Sequence, residues 1–102
     1  KRQEMAKVAN QLADNVIITS DNPRDENPID IINEISRNIN IPFKKIEKRE
    51  SAIIHAINNM NDDDILLIAG KGHECYQEIK GKKYPFSDKK IALDNIRKTV
   101  IR

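Results

Sequence analysis

The first part of the chain changes from a helical to an extended pattern of apolar positions. In residues 2–13 the apolar side chains recur every three or four positions, at Met5, Val8, Ala9 and Leu12. This spacing predicts an amphipathic helix. A continuous apolar run, Val16-Ile17-Ile18, lies within residues 15–20 and predicts a buried strand.

Proline and asparagine mark the borders of the next elements. Asn27 precedes Pro28, a pair typical of a helix cap and first turn, so a second helix is predicted from Pro28 to about Asn38. Its predicted buried face consists of Ile31, Ile32 and Ile35. After Pro42, residues 44–48 predict a short strand. Residues 49–60 predict a third helix that buries Ala52, Ile53, Ala56 and Ile57.

The last third of the chain predicts a central strand, a hairpin and a final helix. Residues 64–69 contain Ile65-Leu66-Leu67-Ile68, an apolar run typical of a strand covered on both faces. Residues 76–80 and 83–85 flank Gly81 as a hairpin, and a helix capped by Ser87 or Asp88 follows to about Ile101. This order predicts an α/β fold, a three-layer Rossmann-like domain with a mainly parallel sheet and a small C-terminal hairpin.

Length and composition narrow the class of protein. The 102 residues suit one domain, and 18 basic and 16 acidic residues are mixed along the chain with a net charge of +2. This mixture predicts neither a nucleic-acid partner nor a membrane surface. A single cysteine and the lack of a signal peptide or a long apolar segment predict a cytoplasmic protein.

Two unusual loops follow predicted strands. The first covers Asp21 to Asn27 and the second Gly70 to Glu74. In sheets of this kind, ligands collect at the carboxyl ends of the strands. Both loops leave such ends, so we expect them to face one shared pocket.

The first loop carries an arginine on a restricted backbone. Pro23 limits the conformations of its neighbours, and Arg24 follows it. A guanidinium held at a strand end suits the bidentate binding of a carboxylate or phosphate, to which Asn22 could add a hydrogen bond. The alternative is an Asx turn formed by Asp21 and Asn22, with Arg24 in solvent.

The second loop combines two glycines with a carboxylate. Gly70 and Gly72 let the backbone approach a ligand closely, and Glu74 could hold a substrate ammonium. The continuation into a hairpin argues against a phosphate-binding loop. His73 is interpreted as a residue that fixes its neighbours, with an acid–base role as the alternative. Cys75 is predicted to serve packing.

Three motifs together resemble a known family. Asp21-Asn22-Pro23-Arg24, Gly70-Lys71-Gly72-His73-Glu74 and Phe86-Ser87-Asp88 are similar, in order and spacing, to the C-terminal domain of Mur ligases that add meso-diaminopimelate. The resemblance covers nearly the whole chain. It implies an ATP-dependent ligase of peptidoglycan synthesis, which activates the D-glutamyl carboxylate of UDP-MurNAc-L-Ala-D-Glu and joins it to the third amino acid.

The resemblance also implies roles for individual residues. Arg24 would pair with the distal carboxylate of meso-diaminopimelate, and Asn22 would hydrogen-bond the same end. Asp21 and Glu74 would hold its ammonium, and Gly70 would contribute its backbone carbonyl. No catalytic residue and no metal ligand is expected in residues 1–102, which would form a single amino-acid-binding domain.

The sequence departs from the family pattern at Cys75, where an acidic residue is common, and at Lys89, where arginine or histidine is usual. A Gly-Gly-Asp-Arg segment is expected just before Lys1. The UDP-sugar and ATP domains, with the ATP and Mg²⁺ sites, are expected outside this chain, which alone should be inactive. The alternative interpretation is a free-standing α/β module that binds an anionic small molecule.

Overall fold

The computed structural model describes residues 2–70 and 74–100. Its elements follow in the order α1 (Arg2–Leu12), β1 (Val16–Ile18), α2 (Pro28–Ser36), β2 (Phe43–Lys45), α3 (Arg49–Asn58), β3 (Tyr76–Ile79), β4 (Lys82–Pro85) and α4 (Asp88–Val100). Helices therefore separate the first strands, as the sequence predicts.

A parallel strand pair and its covering helices form the core. β1 and β2 run parallel, with Val16 opposite Phe43 and Ile18 opposite Lys45. The buried cluster beside them consists of Ala6, Ile18, Ile32 and Ile39. The crossover through α2 brings the two strands side by side, because parallel neighbours need a long connection. The predicted α/β class is confirmed.

The start of α2 shows why the chain turns into a helix there. The side-chain oxygen of Asn27 accepts a hydrogen bond from the Ile29 N–H at 2.9 Å, and Pro28 occupies the first turn. This contact satisfies a backbone donor that has no partner within the helix. The predicted cap is confirmed, and it fixes the far end of the first loop.

Three of the four residues in the apolar stripe predicted for α1 are exposed, and only Ala9 packs against the core. Met5, Val8 and Leu12 are 49%, 52% and 80% exposed, whereas Ala6 is 1% exposed and packs in the core. A small residue allows the backbone of α1 to lie close to α2 and β1. The helix is predicted correctly, but its orientation is decided by this close packing.

β3 and β4 form the predicted C-terminal hairpin. The strands are antiparallel, with Tyr76 opposite Pro85 and Ile79 opposite Lys82. Lys80 and Gly81 connect them with positive φ angles of 50° and 78°, the backbone geometry that two-residue hairpin turns favour. The hairpin is confirmed.

The predicted central strand at residues 64–69 is wrong. Among the described residues this segment pairs with no strand, and Ile65 and Leu67 are 96% and 83% exposed. An apolar run forms a buried strand only where other strands pair with its edges and helices cover its faces. Separately, none of the described helices has the length and apolar character needed to cross a membrane.

Candidate functional site

The first loop is attached to the edge of the hairpin. The Arg24 N–H donates to the Glu78 carbonyl at 3.1 Å, and the Lys80 N–H donates to the Arg24 carbonyl at 2.7 Å. In addition, the Glu78 N–H donates to Oδ1 of Asn22 at 2.9 Å. These bonds fix the backbone of the loop against β3. They also show that Asn22 has a structural contact in addition to its predicted role toward substrate.

Arg24 has a backbone conformation that side-chain-bearing residues rarely adopt. Its φ is +55°, and such strained positions persist only when surrounding bonds determine them, often at functional sites. The two backbone bonds to the hairpin supply this support. The constrained arginine predicted from the sequence is therefore held by its own main chain as well as by the neighbouring Pro23.

The guanidinium of Arg24 lies near one carboxylate. Its Nε is 3.7 Å from Oε1 of Glu78, with the two side chains 60% and 24% exposed. This ion pair uses the Nε side of the guanidinium, so the edge formed by its two terminal nitrogens can still meet a carboxylate. Glu78 was not singled out by the sequence analysis, because alternation along a hairpin gives no signal for such a contact.

The first loop also meets both described ends of the second loop. Nδ2 of Asn22 donates to Oε1 of Glu74 at 3.3 Å. A Cβ on Gly70 would lie 3.5 Å from Oδ2 of Asp21, and the φ of Gly70 is +106°. In the structure, Asp21 thus lies near Gly70, and Asn22 contacts Glu74. Arg24, in the same loop, is bonded to Glu78 and Lys80 of the hairpin. Lys71, Gly72 and His73 lie outside the described residues.

A buried ion pair between Arg49 and Asp88 lies next to the residue that precedes Gly70. Nε and Nη2 of Arg49 donate to the two carboxylate oxygens of Asp88 at 2.8 and 2.7 Å. Burial alone would lower the pKa of the Arg49 guanidinium, but its hydrogen bond to Asp88 and the charges of Asp88 and Asp21 raise it. Arg49 belongs to no motif that marks it in the sequence. The resemblance included Asp88 but gave it no role.

A cavity of about 360 Å³ lies between the first loop, the start of α3 and the hairpin, and Arg49 is part of its lining. Its lining includes Ser20, Pro23, Glu47, Gln77, Ile79 and Phe86. None of the five predicted site residues belongs to the lining, so the cavity adjoins the meeting point of the loops without coinciding with it.

Cys75 is exposed, which makes its predicted packing role wrong.

Comparison with known proteins defines the class. The family model described as "Mur ligase, glutamate ligase domain" matches residues 1–72. The chain therefore belongs to the Mur ligase family. It superimposes with a TM-score of 0.90 and 37% sequence identity on a solved structure of UDP-N-acetylmuramoyl-L-alanyl-D-glutamate--2,6-diaminopimelate ligase, covering 98% of this chain and 21% of that one.

Curated relatives carry the same name. The chain is 55% identical over 92 residues to UDP-N-acetylmuramoyl-L-alanyl-D-glutamate--2,6-diaminopimelate ligase of Rickettsia typhi. The aligned residues make up 89% of this chain and 19% of the relative. The protein of that name from Bacillus licheniformis is 46% identical over 93 residues, 90% of this chain and 19% of the relative. The chain thus spans about a fifth of the length of these relatives.

Proposed function

We propose that residues 1–102 form the amino-acid-binding domain of an ATP-dependent ligase that joins meso-diaminopimelate to UDP-MurNAc-L-Ala-D-Glu. The names of the similar proteins support the reaction. The single structural observation that carries the proposal is the meeting of the two loops, where Asn22 contacts Glu74 and Asp21 lies against Gly70. This meeting favours a ligase domain over a free-standing module, because it assembles the residues that the family resemblance implies.

The distal end of meso-diaminopimelate is a zwitterion, and the loops offer groups of both signs. The terminal edge of the Arg24 guanidinium suits the distal carboxylate, since a planar fork can make two parallel hydrogen bonds. Asp21 and Glu74 supply carboxylates for the ammonium. We further propose that Asn22 hydrogen-bonds the same end and that the Gly70 carbonyl accepts from the ammonium.

The contact of Asn22 with Glu74 suggests how the Glu74 carboxylate is held in a fixed position relative to the Arg24 guanidinium. The amide of Asn22 bonds to the Glu74 carboxylate on one side and to the Glu78 N–H on the other. It can therefore hold an acidic group for the ammonium beside the arginine for the carboxylate. Lysine has no distal carboxylate, so its side chain would leave the guanidinium without this partner.

We propose that ATP and Mg²⁺ bind mainly in other parts of the longer protein. Among the described residues, no three His, Cys, Asp or Glu side chains are arranged to hold a metal ion. The described residues therefore offer no cluster that fits a magnesium site. We propose that their task is to bind and orient the amino acid. We propose that the ligase acts in the cytoplasm as an enzyme of peptidoglycan synthesis, because its proposed reaction would consume ATP.

Amino-acid incorporation by the full-length protein tests this function. The assay supplies UDP-MurNAc-L-Ala-D-Glu, ATP and Mg²⁺ with either meso-diaminopimelate or lysine, and it follows product by mass spectrometry. We expect a product with meso-diaminopimelate and much less with lysine. Absence of product with both amino acids, in a folded full-length protein, would contradict the proposed function.

A further inference from the structure

Arg49 and Asp88 begin two helices that are far apart in the sequence. Arg49 is the first residue of α3 and Asp88 the first of α4. Their bidentate contact is almost fully buried, with side-chain exposures of 4% and 10%. A carboxylate at the start of α4 is also stabilised by the positive end of the helix dipole. The pair therefore fixes the relative position of two helix starts.

The same guanidinium reaches the segment that enters the second loop. Nη2 of Arg49 donates to the carbonyl oxygen of Ala69 at 3.2 Å. Ala69 directly precedes Gly70, which faces Asp21 of the first loop. One buried side chain thus connects α4 to the entrance of the second loop.

The exit of the second loop is held by the same part of the chain. The Phe86 N–H donates to the carbonyl of Cys75 at 2.9 Å, and Cys75 directly follows Glu74. Residues 86–88 therefore anchor both described ends of the loop: the entrance through Asp88 and Arg49, and the exit through Phe86.

Stability alone does not explain a charged pair at this position. Burying two charges is costly, and apolar residues of similar volume often give equal or greater stability. A planar guanidinium can bond to both Asp88 and Ala69 at once, whereas an ammonium has no fork of this kind. The geometry thus favours a role in placing the loop.

We propose that Arg49 and Asp88 are positioning residues for the amino-acid site, because they fix the Ala69 carbonyl and so place Gly70 and Glu74 against the first loop. This inference rests on the proposed function. Neither residue needs to touch the amino acid. Their effect is to hold Gly70 and Glu74 where the carbonyl of Gly70 and the carboxylate of Glu74 can meet the substrate ammonium.

The test measures KM for meso-diaminopimelate and for ATP separately in the full-length ligase that contains this chain. Arg49→Lys keeps the charge but loses the fork. We expect it to raise KM for meso-diaminopimelate about tenfold or more, since small displacements of binding groups are costly. KM for ATP should change by less than about twofold, as a group acting on one substrate requires. Lys45→Met, at an exposed position on β2, is the control and should change neither value.

A second variant keeps the test decisive if Arg49→Lys does not fold. The double substitution Arg49→Met with Asp88→Leu removes both charges together, so no single buried charge is left without its partner. Folding is checked by circular dichroism and by the midpoint of thermal unfolding. We expect this variant to fold and to show the same selective rise in KM for meso-diaminopimelate.

Two results would overturn the inference: an unchanged KM for meso-diaminopimelate in a folded variant, or equal changes in KM for both substrates. The wild-type protein separates this failure from that of the proposed function. If it incorporates meso-diaminopimelate while the variants behave like Lys45→Met, only the positioning role is wrong. If it incorporates no amino acid, the proposed function is wrong and the inference falls with it.

Discussion

The side-chain amide of Asn22 donates to a carboxylate oxygen of Glu74 at 3.3 Å and joins residues that are 52 positions apart. Asn22 is at the same time bonded to the Glu78 N–H. The carboxylate of Glu74 is therefore oriented by the loop that carries Arg24. A change at Glu74 should consequently affect amino-acid binding through its charge, provided that its contact with Asn22 is kept.

Glu74→Gln in the full-length protein meets this condition, because the glutamine oxygen can still accept from Asn22. The substitution removes the negative charge proposed to hold the substrate ammonium. Hydrogen bonds to charged groups contribute about 1 kcal/mol more than neutral ones, so kcat/KM for meso-diaminopimelate should fall by about fivefold to tenfold. Steady-state kinetics with each substrate varied in turn checks this. An equal loss for ATP would indicate a folding role instead.

Gly70→Ala tests the backbone at the entrance of the second loop, and Gly81→Ala is its matched control. Both glycines have positive φ, +106° and +78°, but only Gly70 faces Asp21, while a Cβ on Gly81 meets nothing within 4 Å. Each alanine should lower stability by about 1–3 kcal/mol through strain. Gly70→Ala should also raise KM for meso-diaminopimelate, and by clearly more than Gly81→Ala, which can act on the site only through the bond of Lys80 to Arg24. Equal kinetic effects of the two variants would contradict a specific role for Gly70.

Local chemistry made most of the fold predictable. The Asn27 cap and the Lys80-Gly81 turn are each decided by a few neighbouring residues, and the structure confirms both. Residues 64–69 were not predictable in this way. Their apolar run has the composition of a buried strand, but burial depends on partners elsewhere in the chain, and Ile65 is 96% exposed.

The site was predictable as two loops and not as a set of contacts. Arg24 and Glu74 could be selected from the residue types in the two loops, and the motifs added the expected roles. The buried contact between Arg49 and Asp88 spans 39 positions, and no local pattern reports such a distance. The positive φ of Arg24 could not be foreseen either, because it results from bonds to the hairpin.

Arg2 controls the titration of a carboxylate at the far end of the first loop. Its guanidinium lies 2.6 Å from Glu26, and this hydrogen bond lowers the pKa of Glu26 below its ordinary 4.5. A carboxylate with a lowered folded-state pKa contributes stability above its unfolded pKa, and this contribution is lost as the pH falls through the folded value. Arg2→Gln should therefore raise the pKa of Glu26 toward 4.5.

Carbon-detected NMR titration of Glu26 in the wild type and in Arg2→Gln measures this shift. Arg2 also pairs with Glu34 at 3.0 Å. The two proteins should therefore differ in stability near neutral pH, and part of this difference should be lost in acid once Glu26 is protonated in both. High salt should reduce the difference, since the contact is at the surface. The same Glu26 titration in both proteins would show that the contact with Arg2 does not persist in solution.

At Arg24, a test must separate the effect of losing the guanidinium from the effect of changing the strained backbone. Alanine is a poor choice, because φ at this position is +55° and alanine, like arginine, has a Cβ that is strained there. Asparagine tolerates this conformation better than other side chains. Arg24→Asn therefore removes the guanidinium while the loop keeps its bonds to Glu78 and Lys80. Arg24→Lys keeps the positive charge but loses the planar fork.

Truncating one partner of a desolvated charge pair costs roughly 2–5 kcal/mol. The Arg24 side chain is 60% exposed in the absence of substrate, so solvent screening places the effect at the lower end of that range. In the full-length protein, kcat/KM for meso-diaminopimelate should fall by about 30-fold with Arg24→Asn, and Arg24→Lys should recover only part of it. Activity with lysine should show no comparable loss, because lysine has no distal carboxylate. Wild-type efficiency and preference in both variants would contradict the selection of substrate by Arg24.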